Sequence, residues 1–107
     1  MAFAPKALAD GEIPLGIGTI FTATASIATY VKAITLFNKN AINQNILIEV
    51  NRSGVNRFWR RFELQQFESA DVLDDGQTII LEPGDLLLAS ATTAAAVDFT
   101  ISGVEEV

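Results

Sequence analysis

Six clusters of turn-forming residues divide the chain so finely that no long regular element fits between them. They are "ADGE" at 9–12, "LGIG" at 15–18, "NKNAINQN" at 38–45, "RSGVN" at 52–56, "DDGQ" at 74–77 and "EPGD" at 82–85. Gly, Pro, Asn and Asp punctuate a chain because they adopt or preset the backbone angles of reversals. Between these marks the apolar residues recur with the period of two that belongs to a strand. "YVKAITLF" places Tyr30, Ile34 and Leu36 on one face with Lys32, and Val31, Ala33 and Phe37 on the other. "ILIEV" sets Ile46, Ile48 and Val50 against Glu49. "RFWRRFEL" directs Phe58, Phe62 and Leu64 inward together with Arg60, and leaves Trp59, Arg61 and Glu63 outward. "QTIILE" and "DLLLASA" repeat the pattern. In "VDFTISG", Val97, Phe99 and Ile101 oppose Asp98, Thr100 and Ser102. The one helical competitor is "TASIATYVKAITLF" at 24–37, where alanines permit a helix but Thr, Ile, Val and Tyr favour a strand.

"EPGD" suits a type II turn, with Pro83 presetting the second position and Gly84 supplying positive φ at the third. It predicts a hairpin over about 77–92. "DDG" at 74–76 predicts a tight reversal between a strand ending near Leu73 and one beginning near Gln77. Spacing of this kind predicts an all-β fold, a single antiparallel β-sandwich or jelly roll of about seven to nine short strands. Residues 12–107 form its body, and residues 1–11 are either an extended N-terminal arm or the first strand.

At 107 residues the chain supports one core, so any partner site lies on the surface of a single domain. Half of it is apolar and 19% is charged, the composition of a folded domain. The formal charge of −6 argues against nucleic acid or an anionic membrane as partner, since both require a dominant positive field. Residues 13–31 carry no charge, but Pro14, Gly16, Gly18 and four threonines make a poor membrane span. "MAFAPKALADGEIP" breaks with Lys6, Asp10 and Glu12 before an apolar signal segment can form, so export is not expected, and the sequon Asn51-Arg52-Ser53 carries no weight. Without cysteine there is neither disulfide framework nor thiolate chemistry, and the redox compartment is open.

The charges are unevenly placed. All 7 basic residues precede position 62, whereas residues 62–107 hold 10 of the 13 acids. Arg52, Arg57, Arg60 and Arg61 fall within ten residues and surround Trp59. This cluster predicts a partner interface: Arg makes bidentate contacts with carboxylates, and Trp is an effective apolar anchor. The plainer alternative pairs Arg61 with acids on the adjacent strand of its own chain and uses Trp59 to cap the sandwich edge.

Catalysis finds little to work with. Triads, zinc sites and thiol nucleophiles need His or Cys, and the chain has neither. Glu63, Glu68, Asp71, Asp74 and Asp75 could supply a carboxylate pair, but Asp-Asp-Gly is more often turn chemistry. "DVLDDG" also lacks the alternating ligand rhythm of a calcium loop. No enzymatic activity, metal or cofactor is expected.

The run "LDDGQTIILEPGDLLLASATTAAAVDFTISGVEE", with the opening "AFAPKALADGEIP" and the central "YVKAITLFNKN", resembles small structural proteins encoded among the virion genes of tailed bacteriophages. Such proteins share an opening like "LADGQLP", a middle strand with an Asn-rich loop, and an L-x-x-GD hairpin leading to S-G-V-E-E. Here these are Leu8–Pro14, Tyr30–Asn40, Leu81–Asp85 and Ser102–Glu106. The resemblance consists of turn and strand patterns and transfers no catalytic or ligand motif. It implies a β-sandwich virion component that acts as a capsid cement or decoration protein. Its partners would be its own copies, as a homo-oligomer such as a trimer, and the major capsid protein or another virion protein. The alternative is a neck, tail or fibre module contacting a host glycan through Trp59, Tyr30 and neighbouring polar groups. A cement protein often uses a terminal arm, for which Phe3 and Leu8 are the candidate anchors and Pro5 the stiffener. An ordinary edge strand accounts for the same residues.

Overall fold

The computed structural model describes residues 3–73 and 77–106, with the backbone alone at 3–6, 62 and 106. The described residues contain nine strands and no helix: β1 (Phe3–Glu12), β2 (Gly18–Thr22), β3 (Thr29–Asn38), β4 (Gln44–Arg52), β5 (Val55–Leu64), β6 (Ser69–Asp71), β7 (Ile79–Leu81), β8 (Leu86–Ser90) and β9 (Val97–Glu106). One sheet runs β1-β9-β3, with β6 and β7 both on the far edge of β3; the other runs β2-β8-β4-β5. All pairings are antiparallel. The two sheets pack as a β-sandwich, and the helical competitor at 24–37 gives way to β3. With no helix present among the described residues, none is long and apolar enough to cross a membrane.

The core lies between the sheets and is made of Val31, Ile34, Leu36, Val97, Phe99 and Ile101 from one and Ile46, Ile48, Leu64 and Leu87 from the other. Each such burial contributes about 1.5–3 kcal/mol relative to exposure. The alternation expected of β9 holds throughout Val97–Ser102. Elsewhere β-bulges shift the phase. On β3, Val31 pairs with Gly103 and Ala33 with Ser102, so Lys32 is an extra residue. The strand therefore buries Thr29 and Val31 before the bulge and Ile34, Leu36 and Asn38 after it. The face proposed from strict alternation, Tyr30 with Ile34 and Leu36, is corrected: one inserted residue exchanges the faces on either side of it.

The turns also differ from expectation. "EPGD" is a type II turn, with Gly84 at φ +85° and the Asp85 N–H donating to the Glu82 carbonyl at 3.0 Å. It does not close a hairpin over 77–92, because β7 belongs to the sheet of β3 and β8 to the sheet of β4. The turn instead carries the chain from one sheet to the other. The tight reversal placed at 74–76 falls outside the described residues, but β6 and β7 both run antiparallel to β3 and so point the same way as each other, with no net reversal between them. The true tight hairpin joins β4 to β5 at Ser53-Gly54, whose φ angles of 57° and 80° are the two left-handed positions of a type I′ turn.

Residues Phe3–Glu12 pair along their length with β9, which is the edge-strand arrangement for this segment. Leu8 sits in a bulge of β1 and packs partly against the core, whereas the anchoring expected of Phe3 concerns a side chain outside those described. At one end of β1, Lys39 bridges Glu12 at 2.6 Å and Asp98 at 2.9 Å, tying β1, β9 and the end of β3 together.

Candidate partner-binding seam

One flank of the sandwich is closed where β1 lies beside β2. On the other flank the outermost strands are β5 in one sheet and β6 and β7 in the other, and no ladder joins them. The gap holds two hollows. The larger, of about 560 Å³, is lined by Val50, Arg52, Val55, Arg57, Trp59 and Ile80 among others; the smaller, of about 360 Å³, lies between Arg60, Arg61, Ala70, Asp71 and Val72.

All five residues of the Arg/Trp cluster line this seam, but they do different things there. Arg52 extends from the end of β4, where its Nε meets the Asp85 carboxylate at 2.6 Å and its Nη2 donates to the Ile80 carbonyl at 2.7 Å. Asp85 is buried, and the same Oδ2 accepts the Glu82 N–H at 2.9 Å. Arg52 thus pins the sheet-crossing turn and β7 to the opposite sheet. Arg60 donates from Nη1 to the Val72 carbonyl at 2.8 Å, and its guanidinium carbon lies 5.0 Å from the centre of the Trp59 ring. These two arginines link backbone acceptors across a gap that has no strand ladder.

Arg57 and Arg61 are exposed and have no ion pair or hydrogen bond with a described residue. The within-chain pairing considered for Arg61 is therefore not formed with any described acid. Arg57 stands opposite Val50 and Arg61 opposite Leu47 in the β4–β5 register, so they sit on opposite faces of the sheet.

The local phase follows from a second bulge. Ile48 pairs with Arg60 and Glu49 with Phe58, leaving Trp59 as the extra residue of β5. Trp59 turns partly inward and packs on the core, while Phe58 is 63% exposed. The inward Phe58 and outward Trp59 expected from strict alternation are thus exchanged. Arg60 keeps its inward side of the strand and crosses the seam. Tyr30, named for a glycan site with Trp59, lies on β3 and lines neither hollow.

Sequence reasoning missed Val55, Ile80 and Asp85. Val55 and Ile80 are 46% and 51% exposed and add apolar surface to the mouth of the larger hollow. The outward position of Ile80 could have been read from the alternation in "TIIL". The Arg52–Asp85 pair could not, because it spans 33 residues and depends on the crossing of sheets. Among the described residues no three acidic side chains gather in a metal-holding group. No family model, curated protein or solved structure matches the chain.

Proposed function

We propose that this protein is a non-enzymatic virion structural protein, a capsid cement or decoration protein that stabilises the phage head through its own copies and the major capsid protein. The observation that carries the binding role is a pair of exposed arginines with no partner among the described residues on an acidic protein, Arg57 at the larger hollow with Trp59, Val55 and Ile80, and Arg61 at the smaller. Aromatic and arginine side chains around a partly desolvated hollow are the usual anchors of protein interfaces. The chain's lack of His and Cys removes the commonest nucleophiles, bases and soft metal ligands. The phage setting rests on the resemblance in the opening, central and C-terminal runs.

Cement proteins and host-receptor modules differ in what their loss does to a particle. A protein that binds only the intact shell stabilises it by mass action. Particles lacking this protein should assemble, then release genome at a lower temperature or at low ionic strength, with adsorption to cells unchanged. Unchanged particle stability together with lost adsorption would overturn the cement reading in favour of a receptor-binding one.

A further inference from the structure

We propose that the free edge of β5 is a strand-addition site for an extended acidic segment of a partner protein, seated along the seam with carboxylates against Arg57 and Arg61. The inference rests on the binding role proposed above and specifies its geometry and chemistry.

β5 is ten residues long and, among the described strands, pairs only with β4. In an antiparallel edge strand, alternate residues direct N–H and C=O away from the sheet, leaving a template for another strand. No described residue supplies a hydrogen bond to that outward side between Asn56 and Glu63. The other edges are less open. β1 contains Pro5, which lacks a donor, β2 has five residues, and acceptors at Val72 and Ile80, beside β6 and on β7, are already taken by Arg60 and Arg52.

Charge determines the occupant. Lys32 donates to Thr78, Lys39 binds Glu12 and Asp98, and Arg52 and Arg60 close the seam. Among the described side chains, Arg57 and Arg61 are the cations left without an acceptor. They flank the Trp59 bulge on opposite faces of β5, so an added strand meets one on each face. A segment with a carboxylate toward each face and apolar side chains toward Val55, Trp59 and Ile80 complements the site. A basic segment would be repelled. Backbone pairing supplies affinity in this mode, and side chains on the two faces supply selectivity.

The test uses the full chain and three synthetic ten-residue peptides: one repeating Glu-Glu-Val-Val, which sets carboxylates on both faces of a strand, the same with Lys for Glu, and the Glu peptide N-methylated at alternate amides. Amide exchange is followed by NMR. The Glu peptide should slow exchange on β5 between Asn56 and Glu63, with affinity falling as salt rises. The Lys and N-methylated peptides should bind at least about tenfold more weakly, a difference of about 1.4 kcal/mol. Arg57→Glu/Arg61→Glu should reverse the preference between Glu and Lys while leaving the circular dichroism spectrum unchanged. Equal binding of Glu and Lys peptides, undiminished binding after N-methylation, protection on another edge, or no binding would each overturn the proposal. Peptide binding without particle attachment would instead overturn the virion reading alone. Attachment without β5 protection would remove strand addition and leave that reading standing.

Discussion

Two residues on neighbouring strands show how one atom changes sign with context. Gly103 lies opposite the β3 bulge, where a Cβ would overlap the Tyr30 carbonyl oxygen and come within 3.1 Å of the Lys32 nitrogen. Backbone cannot yield as a flexible side chain can, so Gly103→Ala should destabilise the fold by about 1–3 kcal/mol or more, read from the urea midpoint. Thr29 presents the opposite case: its Oγ1 is buried without a partner. Thr29→Val removes that unsatisfied hydroxyl at nearly constant volume and should stabilise by about 1 kcal/mol in the same assay. Asn38 is buried but fully engaged: Nδ2 donates to the carbonyls of Ile42, Leu64 and Gln65, and Oδ1 accepts the Asn40 N–H. Asn38→Ala strands several of these groups, and a loss of about 2–4 kcal/mol is expected.

The strands themselves were legible because apolar alternation and turn residues are local signals. Their partners were not. "EPGD" reads as a hairpin turn, and its dihedral angles are those of the expected turn, yet it joins two sheets. Local turn chemistry fixes the bend and leaves open which neighbour each strand finds. The bulges at Lys32 and Trp59 were equally hidden, since an inserted residue becomes visible only against its partner strand. They explain why the directions of Phe58 and Trp59 were exchanged, although the five Arg/Trp residues line one seam. Arg52 and Arg60 also acquired a structural role from contacts 33 and 12 residues away in sequence. If Arg52 holds β7 across the seam, Arg52→Met should speed amide exchange at Ile79–Leu81 while exchange on β9 stays slow. At the opposite flank, hydrogen bonds donated by Lys39 to Glu12 and then to Asp98 raise its pKa above the ordinary 10.5. Its stabilising contribution is fully present below that ordinary value and is lost as pH rises through the raised one. The stability difference between the parent and Lys39→Met should therefore persist from neutral pH to the ordinary lysine range and close in stronger alkali.

At the scale of the whole molecule, an acidic sandwich carries a basic edge where Arg57 and Arg61 have no acceptor among the described residues, and the proposed function is that this edge meets a partner. Trp59→Ala would confound the question, because Trp59 packs against the core. Arg57 and Arg61 are exposed and have no partner among the described residues, so reversing their charge should perturb recognition with little effect on folding. The decisive measurement is competition between the parent protein and Arg57→Glu/Arg61→Glu for particles prepared without it, with melting temperature and oligomer mass determined alongside. The double variant should melt within a few degrees of the parent and be displaced from particles by it, occupying less than about a tenth of the sites at equal concentration. Equal occupancy by a folded variant would rule out partner binding through Arg57 and Arg61 and reduce the Arg/Trp cluster to the closure of its own seam.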